Sequence, residues 1–356
     1  MKYTLTTSQD ELQPILDSCD RCLIQKSVRS GKTLSLLHFI NKNKYRRVLW
    51  LVPNTEIRDV GLPNEIKKWG FKLNIHAICY NSLKKYSNTD WDIVILDEIQ
   101  MLNKNRFDIV STMSYKKIVG MTGTIPNNRT KRDIIFKELK LDLVYKYTTQ
   151  DAVNAKDVAP FNVNYILLPL SNDLDILVEY KDKVTGVKKS FYTSEVKNYT
   201  SLSLRIDSET NSNRKMLLAL TRLRFLNTLK SKVRFIKNYL EQYKDQRVLV
   251  FVNTREMAEQ ISKYFYHGTS DDKYFNDFKK GKINHLVLVN KGGAGENYEN
   301  LDRCLLADIN SSNDMVQQKL LRGILYRENY TAELDVLLSK NTIQKVWIET
   351  ALQDLI

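Results

Sequence analysis

SVRSGKTLSLLHFI (27–40) and DIVILDEIQ (92–100) decide the fold, because each joins a strand to chemistry presented at the C-terminal edge of a parallel sheet. CLIQ (22–25) runs apolar into the first stretch, and LSLLHFI leaves it as a helical pattern. Strand, loop and helix in that order make a phosphate cradle, in which backbone N–H groups and the helix N-terminus face the anion. Gly31 permits close backbone approach, Lys32 reaches the β- and γ-phosphates, and the Thr33 hydroxyl suits Mg2+, with Ser30 completing the loop. Lys26 stands where the full pattern has its opening glycine. GKT alone recurs by chance, so the second stretch carries the decision. There a buried strand ends in two carboxylates. Asp97 is placed to hold Mg2+, and Glu98 to orient and deprotonate an attacking water. A solvated helix start also explains Asp-Glu at a strand end. It does not explain GKT lying 64 residues upstream, from Thr33 to Asp97. The two stretches imply hydrolysis of a nucleoside triphosphate.

Similar β-branched runs recur along the chain. VLWLV (48–52), HAICY (76–80) and KIVGM (117–121) fall in the first half, with RVLVFV (247–252), HLVLV (285–289) and RCLLADI (303–309) in the second. Near-continuous hydrophobic strands separated by amphipathic helices predict parallel sheets covered on both faces. The stretch between the clusters begins extended (NYILLPL, 164–170) and turns polar. It ends in one long helical pattern over 214–243, with Leu217, Leu220, Leu223, Leu226 and Leu229 at helical spacing. The sequence therefore predicts an α/β chain of two parallel-sheet lobes in tandem, over 1–146 and 244–356. A linking or inserted mixed segment over 147–243 ends in a basic helix.

The chain has 356 residues, 42% hydrophobic and 27% charged, enough apolar mass for packed cores. No run approaches a membrane span, no apolar segment follows Lys2, and four cysteines make no disulfide framework. These features predict a cytoplasmic protein. Net charge is +14, distributed as +10 over 1–150, +6 over 151–250 and −2 over 251–356. Basic segments followed by a neutral one suit a polyanion partner. An AT-rich coding bias toward lysine explains the charge as well. The basic residues of 214–237 fit either a duplex path or the solvated side of a leucine-faced helix. Cys19 and Cys22 have zinc-like spacing but lack two further ligands, and the aromatics of 264–278 suit core packing better than base stacking.

At this point the sequence resembles the superfamily-two helicases and translocases, with motifs in the family's order. SVRSGKT looks like motif I, VLWLVPNTEIRDVGLPNEIKKW (48–69) like motif Ia, DEIQ (97–100) like a DExx/DExH motif II and MTGTIPN (121–127) like motif III. RVLVFVNTREMAEQI (247–261) is similar to motif IV, and VNKGGAGENY (289–298) to the motif V of Swi/Snf-type translocases and small phage helicases. QQKLLRGILYR (317–327) stands where motif VI belongs. The resemblance implies two RecA-like lobes, ATP and Mg2+ as ligands, and a nucleic-acid partner. By motif V that partner is DNA, duplex or branched, bound by a monomer. It implies that Pro53, Asn54, Thr55, Asn253, Thr254, Lys291 and Gly292 touch the nucleic-acid backbone. Gly295 and Arg327 would approach the nucleotide, and Gln318 and Arg322 would act in catalysis. Gln100, Thr122, Gly123 and Thr124 would couple hydrolysis to lobe movement.

Departures from the family pattern open other readings. Leu321 replaces the motif VI glycine and Leu325 its second arginine. Arg327, two residues on, points about 160° away on a continuous helix, so either the helix is distorted near Gly323 and Arg327 serves, or Arg322 works alone. Only Gln9 and Gln13 are candidates for reading adenine. A nucleic-acid clamp with a degenerate, slow ATPase therefore competes with an active translocase, and an RNA helicase is the third alternative. If Arg322 is the sole arginine facing the γ-phosphate, Arg322→Ala costs about 10³-fold or more in ATP turnover, and Arg327→Ala almost none. Leu325→Arg then raises DNA-stimulated turnover. Steady-state ATPase assays check this, and near-wild-type turnover in Arg322→Ala removes Arg322 from the site.

Overall fold

The computed structural model describes residues 3–27, 30–126, 128–182, 184–268, 270–289, 300–309 and 330–352, with Tyr298, Val316, Lys319 and Glu328. Twelve strands form two six-stranded sheets. The first holds β1 (Arg21–Lys26), β2 (Val48–Val52), β3 (Ile75–Cys79), β4 (Asp90–Leu96), β5 (Ser114–Thr122) and β6 (Asp142–Tyr147). Their order is β3-β2-β4-β5-β1-β6, and every pairing is parallel. The second sheet holds β7 (Phe161–Leu168), β10 (Val248–Val252), β11 (Phe265–Tyr266), β12 (His285–Val289), β13 (Arg303–Leu306) and β14 (Ala332–Ser339). Its order is β11-β12-β10-β13-β14-β7, again parallel. A separate antiparallel hairpin joins β8 (Ile176–Lys181) to β9 (Lys188–Thr193). Parallel neighbours cannot be joined by tight turns, so helices cross between strands and cover both sheet faces. The two parallel α/β sheets are those expected of tandem RecA-like lobes.

The apolar runs do what their composition predicts. VLWLV and VLVFV are buried at every position of β2 and β10. At the centre of the first sheet, Gly120 on β5 is a packing requirement. A Cβ there would stand 2.7 Å from Ile99 Cδ1 and 3.2 Å from Leu23 Cδ1.

Three features differ from the expectation. β14 (AELDVLLS) escapes the hydrophobic pattern because Asp335 interrupts it. That carboxylate is buried and satisfied, accepting from Arg303 Nη1 at 3.0 Å, Asn164 Nδ2 at 2.9 Å and the Tyr239 hydroxyl. β7, within the predicted linking segment, pairs along its whole length with β14 in the second sheet. The single long helical pattern over 214–243 is two helices, Ser212–Leu226 and Lys230–Gln242. The break comes at Asn227, whose N–H closes the first helix on Leu223 O and Arg224 O, before extended Leu229 opens the second. Leu226 and Leu229 are buried at the elbow, whereas Leu217 and Leu220 are 60% and 42% exposed. The leucine spacing is thus not one core stripe.

The helix Lys230–Gln242 lies on the second sheet through Ile236, Tyr239 and Leu240. Its Lys232 is fully buried, donating to Ala307 O at 3.0 Å and pairing with Asp308 Oδ1 at 3.2 Å. Asp308 Oδ2 accepts the Asn253 N–H at 2.8 Å, and Asn253 Oδ1 accepts from Lys319 Nζ at 3.0 Å. Removing one member of a buried pair strands the other charge. Lys232→Met is therefore expected to cost about 3–5 kcal/mol, and Lys232→Met with Asp308→Asn clearly less. Urea unfolding checks this; a loss below about 1 kcal/mol in the single variant contradicts the pairing.

Candidate nucleotide-binding and hydrolysis site

β1 delivers the chain to the loop, and the helix Lys32–Asn43 carries it away, so the helix N-terminus opens at the C-terminal edge of the first sheet. Gly31 caps that helix with φ +77°, a conformation glycine adopts without strain. A Cβ on Gly31 would also meet Gln9 Nε2 at 2.0 Å. Ser30 is buried and donates through Oγ to Ser27 O at 2.6 Å. Lys32 Nζ donates to Lys26 O at 2.9 Å and Ser27 O at 3.3 Å, so the lysine bridges the root of its own loop. Thr33 sits in the first helical turn, half-buried.

Asp97 follows β4 and donates its N–H to Leu51 O at 3.0 Å, while Tyr80 Oη donates to Asp97 O at 2.9 Å. Burial and the neighbouring Glu98 charge push the Asp97 carboxyl up to about 7, and the Lys32 ammonium opposes that rise. The fold thus brings Lys32 and Asp97 within electrostatic reach across intervening β5. Glu98 adopts φ +50°, outside the region ordinary L-residues prefer. Its Oε2 accepts from Gln100 Nε2 at 2.6 Å. Gln100 Oε1 lies 2.9 Å from Thr122 Oγ1, a hydroxyl that also lies 2.6 Å from Thr124 O and accepts the Thr124 N–H at 3.1 Å. Gly123 makes the turn between those threonines. Glu98 and Gln100 of one motif and Thr122 and Thr124 of the next, well separated in sequence, are therefore one hydrogen-bonded chain.

The donor set suits Mg2+. That cation keeps most of its waters and needs only one or two hard oxygen ligands from protein, which Asp97 and Thr33 offer. Asp97 is half-buried, and the desolvation and Glu98 charge that raise its carboxyl are what a divalent cation would offset. No cluster of three or more metal-ligating His, Cys, Asp or Glu side chains occurs among the described residues.

The predicted nucleic-acid contacts occupy equivalent places in the two lobes. Pro53, Asn54 and Thr55 follow β2, and Asn253 and Thr254 follow β10. Asn54 Oδ1 accepts the Ile57 N–H at 2.9 Å and Thr254 Oγ1 the Met257 N–H at 3.2 Å, so both oxygens cap the helices that follow. Thr55 is exposed. Gln9 and Gln13 turn inward: Gln9 Oε1 accepts the Thr6 N–H at 3.0 Å, and Gln13 Nε2 donates to Ser35 O at 3.2 Å. Lys291, Gly292, Gly295, Gln318, Arg322 and Arg327 lie outside the described residues.

Sequence reasoning missed what Lys26 does in place of glycine. It is fully buried, donates to Ser8 Oγ at 3.1 Å and stands 5.2 Å from the Tyr147 ring centre. Tyr147 Oη and Ser8 Oγ donate to Asp157 Oδ2, at 2.8 and 3.3 Å. Ser27 N donates to Tyr147 O at 2.9 Å. The loop root is thereby tied to residues 147–157, which lead from the first sheet to the second. A lysine at the first loop position was the available signal.

Residues 231–324 match the helicase conserved C-terminal domain family. The whole chain is similar in fold to the Hef helicase domain of Pyrococcus furiosus, at 14% identity and a TM-score of 0.53, covering 97% of this chain and 98% of that one. It is also similar to the ATP-dependent Type ISP restriction-modification enzyme LlaBIII bound to DNA, at 12% identity and a TM-score of 0.64. All of this chain is covered there but only 30% of the enzyme. A comparison with curated proteins finds no match. The family match thus covers residues 231–324, and the structural likeness over the whole chain is one of fold.

Burial lowers the Lys26 ammonium from 10.5 to about 8, with Asp157 opposing and Lys32 reinforcing the shift. The unfolded chain keeps this proton up to 10.5, whereas the native state releases it above about 8. Native stability gained from this group therefore rises with pH across that window. Wild type is expected to gain about 3 kcal/mol relative to Lys26→Met between those limits, read by denaturant unfolding. A pH-independent difference contradicts the burial of a titrating amine.

Proposed function

We propose that the chain is a nucleic-acid-dependent ATPase of superfamily two that couples ATP hydrolysis to movement along, or remodelling of, DNA as a cytoplasmic monomer. The observation that carries this reading is the continuous link Glu98–Gln100–Thr122–Thr124 beside the phosphate loop. In it the residue that faces water is held by groups that sense the position of the loop after β5.

Lys32 leaves the carbonyls of Lys26 and Ser27 to take the β- and γ-phosphates, while the first-turn N–H groups of its helix complete the cradle. Asp97 and Thr33 would hold Mg2+. When bound, that ion would supply positive charge against the charge developing on the phosphates. Gln100 fixes Oε2 of Glu98, which leaves Oε1 to orient the attacking water and accept its proton. Gln318, Arg322, Gly295 and Arg327 act from the second lobe on the same phosphates. The backbone-facing loops at Pro53–Thr55 and Asn253–Thr254, with Lys291 and Gly292, grip phosphates without reading sequence. The +16 net charge of residues 1–250 favours such binding through counterion release.

Glu98→Gln removes the base and keeps the shape. Its turnover is expected to fall about 10²–10⁴-fold, with tighter DNA binding when ATP is present. Gln100→Leu breaks the link while sparing Lys32, so nucleotide binding persists and DNA stimulation of turnover is lost. ATPase assays and DNA-binding titrations with and without ATP check both. Unchanged turnover in Glu98→Gln, or full DNA stimulation in Gln100→Leu, contradicts the proposal.

A further inference from the structure

Sixteen large hydrophobic side chains are exposed among the described residues, and six of them fall within 176–193. That concentration belongs to one element, the β8–β9 hairpin. Its strand pairing places Val178 opposite Phe191 and Tyr180 opposite Lys189 on one face. Leu177 lies opposite Tyr192, and Lys181 opposite Lys188, on the other. Tyr180, Phe191 and Tyr192 are 46%, 51% and 64% exposed, so aromatic rings stand in solvent on both faces. Tyr180 and Phe191 meet edge to face with centroids 6.0 Å apart.

Two physical features say what this surface fits. A lone two-stranded hairpin is marginal in water, and like charges directly across strands weaken it further. Lys189 is paired with Asp182 at 2.5 Å, but Lys181 and Lys188 have no carboxylate within ion-pair distance among the described residues. A juxtaposed lysine pair calls for an anion. A second protein surface would cover one face of the hairpin, whereas here both faces carry rings. Unpaired nucleotides meet both needs, since every base has a π-face and every link between bases a phosphate.

The hairpin is also aimed. Glu195 is buried at its root and accepts from Ser171 N at 2.9 Å, Ser231 N at 3.0 Å and Ser231 Oγ at 2.6 Å. Lys230 pairs with Asp175 at 3.2 Å. These contacts fix the base to the helix Lys230–Gln242 on the second sheet, while the strands reach roughly 20 Å beyond it.

We propose that the β8–β9 hairpin is a base-stacking platform for single-stranded nucleic acid, with Tyr180, Phe191 and Tyr192 stacking on bases and Lys181 and Lys188 meeting phosphates. The proposal rests on the nucleic-acid reading above. The test is fluorescence anisotropy of the full chain with labelled oligo-dT and with a blunt duplex of equal length. Tyr180→Leu/Phe191→Leu/Tyr192→Leu keeps apolar bulk and removes the π-faces, and circular dichroism verifies its fold. Single-strand affinity is expected to fall about tenfold or more, with duplex affinity changed less than about twofold. Lys181→Gln/Lys188→Gln should reduce the single-strand salt slope by about 1.4.

An unchanged single-strand affinity in the folded triple-Leu variant overturns the proposal, as does an equal loss on both ligands. A wild-type dimer that this variant dissolves, seen by light scattering, makes the hairpin an interface between copies and also overturns it. Wild-type protein that binds neither oligonucleotide defeats the nucleic-acid reading itself.

Discussion

Lys32 and Asp97 carry opposite charges at the C-terminal edge of one parallel sheet, and most of the first lobe exists to hold them there. The cation bridges carbonyls at the root of its loop, and the carboxyl, desolvated beside Glu98, is pushed up to about 7. Neither group is at rest in the ordinary sense. Among the described residues the ammonium donates to two backbone carbonyls, and no lysine or arginine comes within ion-pair distance of the carboxyl. In the proposed function a phosphate chain would pair with the ammonium and a divalent ion with the carboxyl. The β3-β2-β4-β5-β1-β6 order makes the arrangement possible, because β1 and β4 flank β5 and all three end on the same edge.

What surrounds this pair suits transmission. Glu98 is held by Gln100, and Gln100 by Thr122, at the end of the strand between the two charged groups. On the other side, the loop root is tied through Lys26 and Ser27 to Tyr147 and Asp157, on the connection that enters the second sheet. In the second lobe, Lys232 and Asp308 fix the helix Lys230–Gln242 against the Asn253 loop. Each joint is a satisfied polar group in a buried or partly buried setting, where a lost partner is costly. Movement of the phosphate loop thus has stiff connections on both sides.

The sequence made the strands beside the phosphate loop legible because buried parallel strands are continuous apolar runs, and SVRSGKT and DEIQ stand at their ends. β14 was hidden because Asp335 breaks its run, and only a folded partner set of Arg303, Tyr239 and Asn164 makes a buried carboxylate tolerable there. The stretch 214–243 reads as one helix because its periodicity persists through Asn227, although the chain turns at that residue. At the site, Lys26 read as a missing glycine, since nothing local announces a contact with Tyr147 over a hundred residues away. Asn54 and Thr254 also cap helices through their side-chain oxygens, a role that the same residue types signal as well as a phosphate contact.

The central claim is that phosphate binding at Lys32 drives work on nucleic acid, and steady-state ATP turnover of the full chain with and without DNA tests it most directly. Turnover should rise about tenfold or more on DNA and fall below about a tenth of wild type in Lys32→Ala. Turnover indifferent to DNA, or surviving in Lys32→Ala, would contradict the account.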